Sequence, residues 1–129
     1  MTKSGIRFTD LLISYFGVQM SLYQKWYNAF HNKDLDAANA LLHKDYTFVR
    51  HQSGTTMNKA QTMEMMKFFM NSDSMTVHNQ RCLYENDEVM VEHSVIDFPD
   101  GSTEALLSFY KVQDGQFIQC ETGATLIKK

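Results

Sequence analysis

The second half of the chain is punctuated by three short turn signals, Asn86-Asp87, Asp100-Gly101 and Asp114-Gly115, and these limit the fold more than any other feature. Asp-Gly is a strong hairpin signal, because both central residues of a type I′ turn need positive φ and these two residue types tolerate it. The segments between the turns are rich in β-branched and aromatic residues, so residues 75–84, 89–98, 103–112 and 116–126 read as strands. Strands joined in succession by tight turns form an antiparallel meander.

The first half has a different period. Ser21 and Gln24 have the form of a capping box, and Leu22, Trp26, Ala29 and Phe30 then recur at helical spacing to about His31. Asp34 caps a shorter helix whose buried face is Leu35, Ala38, Leu41 and Leu42. Residues 46–51 read as a strand, and Gly54 marks a turn. Asn58 and Gln61 open a third helix through Met63, Met66, Phe69 and Met70. The order is α-α-β-α-β-β-β-β, an α+β domain over residues 20–129 in which helices cover one face of a curved sheet. Ahead of it, Phe8, Leu11, Leu12, Tyr15 and Phe16 draw one helical stripe ended by Gly17. Residues 1–19 are either an added amphipathic helix or an extension ahead of a natural start at Met20.

Composition narrows the function by exclusion. At 129 residues, with 43% apolar and 21% charged side chains, the chain suits one core and not two. A net charge of −3 offers no basic field for nucleic acid or anionic lipid, and no apolar run is long enough for a membrane span. Cys82 and Cys120 match no zinc or redox spacing, which fits a reducing cytoplasm. No histidine pair has ligand spacing, so neither a metal nor another cofactor is expected.

The run Trp26-Tyr27-Asn28-Ala29-Phe30-His31-Asn32-Lys33-Asp34-Leu35-Asp36, the later Asp45-Tyr46, and the strand openings Asp87-Glu88-Val89 and Asp114-Gly115-Gln116-Phe117-Ile118 occur in an order that resembles the nuclear transport factor 2-like, or SnoaL-like, superfamily. The resemblance covers about residues 20–127 and implies a cone whose curved antiparallel sheet wraps a cavity plugged by the helices. That superfamily holds isomerases, dehydratases, cyclases and proteins without known chemistry, so function has to be argued from the site. The three functional positions of a ketosteroid isomerase would fall on Trp26, Arg50 and Ser108, and all three are replaced. An arginine cannot accept a proton as the isomerase aspartate does. His78 resembles the catalytic histidine of the dehydratases.

Strand alternation gives a cavity face. Pairing across the turns places His78, Gln80, Cys82 and Tyr84 with Val91, His93, Val95 and Asp97, then with Glu104, Leu106, Ser108 and Tyr110, and then with Ile118, Cys120, Thr122 and Ala124. Trp26, Phe30, Phe48 and Met66 join them from the first half, with either Arg50 or His51 beside them. His93 with Asp97 and Ser108 is the candidate catalytic group: a buried imidazole beside an acid is either a general base or a hydrogen-bonded core residue. Six methionines (Met57, Met63, Met65, Met66, Met70 and Met75) gather around the third helix, as an adaptable lid or as core. The outer sheet face would carry Leu83, Met90, Ile96, Phe98, Leu107, Phe109 and Phe117, too apolar to stand bare, which predicts a homodimer through it. The expected function is a pocket for a hydrophobic small molecule. The alternatives are acid–base chemistry centred on His93, and a non-catalytic dimerisation or support domain.

Overall fold

Each helix starts where a side chain meets the amides its first turn leaves unpaired. In the computed structural model, which describes residues 20–128, α1 (Leu22–His31) begins at Ser21, whose hydroxyl accepts from the Gln24 amide at 3.0 Å. Asp34 does the same for α2 (Leu35–Leu41), accepting from Ala37 at 3.0 Å. At Asn58 the capping box of α3 (Lys59–Met70) is complete, with both reciprocal bonds at 2.9 Å. The Glu85 carboxylate reaches from the sheet to the Tyr23 amide at 2.9 Å, tying the positive end of the α1 dipole to the strands. The amphipathic stripe of residues 8–16 lies outside the described residues.

The strands are β1 (Leu42–Arg50), β2 (Thr55–Asn58), β3 (Thr76–Glu85), β4 (Val89–Asp97), β5 (Thr103–Gln113) and β6 (Gln116–Leu126). They form one sheet in the order β2-β1-β6-β5-β4-β3. The meander is antiparallel as expected, while β1 runs parallel to the last strand, with Phe48 opposite Cys120 and Arg50 opposite Thr122. The short β2 was not foreseen, since four residues of Thr, Met and Asn give too little pattern; it hairpins back on β1 through Gly54 at φ 69°. The helices pack on the concave face. Phe117, Leu42 and Met90 are its largest fully buried side chains, each stabilising the fold by about 1.5–3 kcal/mol.

Three irregularities decide which side chains face the cavity. Asp114 and Gly115 both have positive φ and make a two-residue turn, and a bulge lies further in, at Lys111/Val112. Phe117 is therefore buried where Ile118 was expected to point inward. The turn over residues 98–102 leaves Asp97 opposite Thr103, so even-numbered residues of β4 face even-numbered residues of β5. This turns β4 over relative to expectation: Glu92 stands opposite Ser108, while His93 stands opposite Leu107 on the outer face. Met90, Ile96 and Phe117, expected outside, are core, whereas Leu83, Leu107 and Phe109 remain exposed. In β3 a bulge at Asn79 (φ 51°) separates the facing of His78 from that of Gln80.

Candidate functional site

The concave face is built of rows that cross the strands. One row is apolar and aromatic: Met90, Tyr110, Cys120 and Phe48 stand opposite one another on β4, β5, β6 and β1. The next row is polar, with Glu92, Ser108, Thr122 and Arg50 in the same order. Trp26 from α1 closes over the aromatic row, its ring 5.4 Å from Phe117 and 6.1 Å from Tyr110 in edge-on geometries. Between helices and sheet lies a cavity of about 130 Å³.

The cavity is lined by Trp26, Phe30, Phe48 and Met66, and from the strands by Leu106, Ser108, Tyr110, Cys120 and Thr122, all residues the sequence reading assigned to it. Gln80, Glu92, Ser94, Tyr46, Thr62 and Met75 line it too. Phe30, Met75 and Val77 also border a second depression, of about 390 Å³, where His31, Lys33 and Asp73 meet solvent. Among the described residues no group of side chains could hold a metal ion.

Glu92 is the one carboxyl among the described residues that line this cavity. It is 6% exposed, and its one hydrogen bond among the described residues comes from Gln80 Nε2, which donates to Oε2 at 2.6 Å. Burial raises the pKa of its carboxyl, and the Gln80 bond, which favours the charged form, offsets part of that rise. The phenols around it are harder still to ionise: burial, with the Glu92 charge next, pushes Tyr23 up to about 12, and Tyr46 and Tyr110 are raised well above the ordinary value, chiefly by burial. Burial also raises Cys120, so its thiol is a hydrogen-bonding neighbour of Tyr110 and Tyr46 and not a nucleophile. The Thr122 hydroxyl is buried and has no hydrogen-bond partner among the described residues. Thus a carboxyl whose proton affinity burial raises, and a hydroxyl with no partner among the described residues, share one row of an aromatic cavity.

The proposed triad of His93, Asp97 and Ser108 is not brought together. Ser108 lines the cavity, but His93 is on the opposite face, with Nδ1 buried and without a hydrogen-bond partner among the described residues. Asp97 instead meets His78 Nε2 at 2.7 Å and accepts from the Thr103 hydroxyl at 2.6 Å, so His78 is engaged outside the cavity. Arg50, not His51, is the inner residue: its guanidinium pairs with Glu104 at 2.8 Å and reaches Gln52. His51 is exposed and meets Glu121 at 3.1 Å. Arg50 and Glu104 border a groove floored by Phe69 and Phe98 and not the cavity itself. Glu92 was missed because both phases of β4 carry apolar residues, so only the turn at 98–102 settles the phase.

Residues 23–120 match the family described as SnoaL-like domain. No curated protein sequence matches the chain. Among solved structures, a candidate ketosteroid isomerase from Kribbella flavida is similar at TM-score 0.68 and 14% identity, over 84% of this chain and 78% of that one. An NTF2-like protein of unknown function from Mesorhizobium loti is similar at TM-score 0.70 and 11% identity, over 81% and 88%. IdmH, a candidate polyketide cyclase from Streptomyces antibioticus, is similar at TM-score 0.63 and 18% identity, over 80% and 88%. At such identities these likenesses establish the fold alone. With the family match spanning most of its length, the chain belongs to the SnoaL-like domain family.

Proposed function

We propose that this protein is a small-molecule pocket protein whose ligand is apolar, about the size of a single ring, and carries one oxygen that meets Glu92. The observation behind this is a buried carboxyl without a cationic partner among the described residues, set in an aromatic cavity. A core position would ordinarily not keep such a group, because an uncompensated carboxyl costs stability. The size follows from volume: a dry cavity of about 150 Å³ accepts benzene, and this one is about 130 Å³. A protonated Glu92 would donate to a ligand carbonyl or ether oxygen, and Thr122 supplies a second hydroxyl in the same row.

The acid–base alternative rests on the same carboxyl. An acid whose proton affinity is raised by burial can protonate a substrate oxygen near neutral pH, as isomerisation, dehydration and cyclisation of carbonyl or hydroxyl compounds require. Glu92 takes the place of His93 in that reading. For partners, Leu83, Leu107 and Phe109 are 49%, 47% and 40% exposed on the outer face, and a second copy of the chain is the proposed cover. The two unpaired cysteines suit a cytoplasmic setting.

The test is thermal unfolding against single-ring ketones, aldehydes, phenols and ethers. A compound at about one hundred times its Kd adds about 2.7 kcal/mol, a rise of roughly 10 °C for a domain of this size. A hit that Glu92→Gln loses supports the reading. No rise with any compound, or a rise that Glu92→Gln leaves unchanged, contradicts it.

A further inference from the structure

We propose that His31 and Gln80 are positioning residues for Glu92: a side-chain relay from the cavity's outer depression fixes which way the Gln80 amide points and so what the buried carboxyl meets. The proposal rests on Glu92 being the working group of the cavity, although its test needs no ligand. His31 Nε2 lies 2.6 Å from Gln80 Oε1, and Gln80 Nε2 lies 2.6 Å from Glu92 Oε2. Two bonds therefore join an exposed imidazole to a carboxyl that is 6% exposed.

Both intermediates are held in place by local structure. Gln80 faces inward because β3 bulges at Asn79, which adopts φ 51°, a conformation asparagine tolerates better than most residues. His31 ends α1 with its ring 4.2 Å from Tyr27 and edge-on to Phe30 at 5.6 Å, so neighbouring rings fix its plane. An incidental surface contact would need neither feature.

The chemistry of an amide turns this geometry into a coupling. Gln80 has one accepting end and one donating end. When His31 Nε2 carries a hydrogen, the Gln80 carbonyl must face it, and the amide N–H must face Glu92. That arrangement favours the ionised carboxylate and leaves its second oxygen to the cavity. When Nε2 is bare, the amide can turn over, donate to His31 and accept from a protonated Glu92. A protonated imidazole allows only the first arrangement, since both of its nitrogens then donate.

Few other groups compete. The groups nearest Glu92 are Tyr23 on α1, Cys82 on β3, Tyr110 on β5 and Cys120 on β6, and all four are shifted upward and uncharged near neutral pH. Glu85 lies at the far end of β3, bonded to α1. Around His31 the charged neighbours are Lys33 and Asp73, which share its depression.

The experiment follows the carboxyl carbon-13 resonance of Glu92 against pH in protein labelled at glutamate, assigned by its loss in Glu92→Gln. The Glu92 midpoint is expected to rise in His31→Phe and rise further in Gln80→Leu. His31→Gln, which keeps an amide N–H near the position of Nε2, should restore the wild-type midpoint. Lys33→Met removes a charge beside the relay without touching it and should leave the midpoint in place. An unmoved midpoint in His31→Phe overturns the proposal, and so does an equal movement in Lys33→Met, which would mean unspecific charge. If the midpoints move as stated while no ligand raises the melting temperature, the relay stands and the ligand reading falls.

Discussion

Glu92 and Glu104 are two carboxyls on the same concave face, 6% and 4% exposed, yet they meet different partners. Glu104 is held at 2.8 Å by Arg50, whose side chain keeps some contact with solvent. Among the described residues Glu92 has only the amide of Gln80. Burial is the same in both cases, so the partner decides the role. A paired carboxylate fixes two strands of the sheet, whereas one without a cation has its proton affinity raised by burial. The difference also separates two regions of the cone: the Arg50–Glu104 pair borders an outer groove, and Glu92 lines the cavity between helices and sheet.

The largest effect should come from breaking the pair. Arg50→Ala leaves Glu104 buried beside no cation and should cost about 3 kcal/mol in urea unfolding, because the charge left behind is uncompensated. A loss below about 1 kcal/mol would make the pair a surface contact and weaken the contrast. Next in size, Thr122→Val replaces an orphaned buried hydroxyl with a methyl group of the same shape and should stabilise the protein by about 1 kcal/mol, read from the same curves. Destabilisation would mean the hydroxyl is satisfied in solution.

The smallest effect is the most specific. Because folding raises the proton affinity of Glu92, its contribution to stability is whole below the ordinary carboxyl midpoint and is lost as pH rises through the folded one. Glu92→Gln has no such proton to lose. Its melting temperature should therefore gain on the wild type as pH rises from below the ordinary midpoint toward neutrality, then hold a constant lead. Parallel curves at every pH would place Glu92 on the same footing in folded and unfolded chains.

The fold was legible because its determinants are local. Caps at Ser21, Asp34 and Asn58 and turns at Asp100-Gly101 and Asp114-Gly115 each act within a few residues, and they placed the helices and the meander within a residue or two. The parallel seat of β1 against β6 is a contact between distant parts of the chain, and no local pattern encodes it. The site was half legible for the same reason. On β5 the faces were read correctly, since Leu106, Ser108 and Tyr110 line the cavity. On β4, the sequence Val89-Met90-Val91-Glu92-His93-Ser94-Val95-Ile96 is apolar in both phases, so the length of one turn exchanged His93 for Glu92. On β3 a single bulged residue parted His78 from Gln80. A period of two leaves no tolerance for a miscounted residue.

Infrared difference spectroscopy of wild type against Glu92→Gln, titrated upward through the ordinary glutamate midpoint of about 4.3, reads the central claim directly. The account predicts that the C=O stretch of a protonated carboxylic acid, present in the wild type and lacking in the variant, is half lost only above that midpoint. A band half lost at or below it would mean that Glu92 titrates like any surface glutamate, and the site built around its proton would not stand.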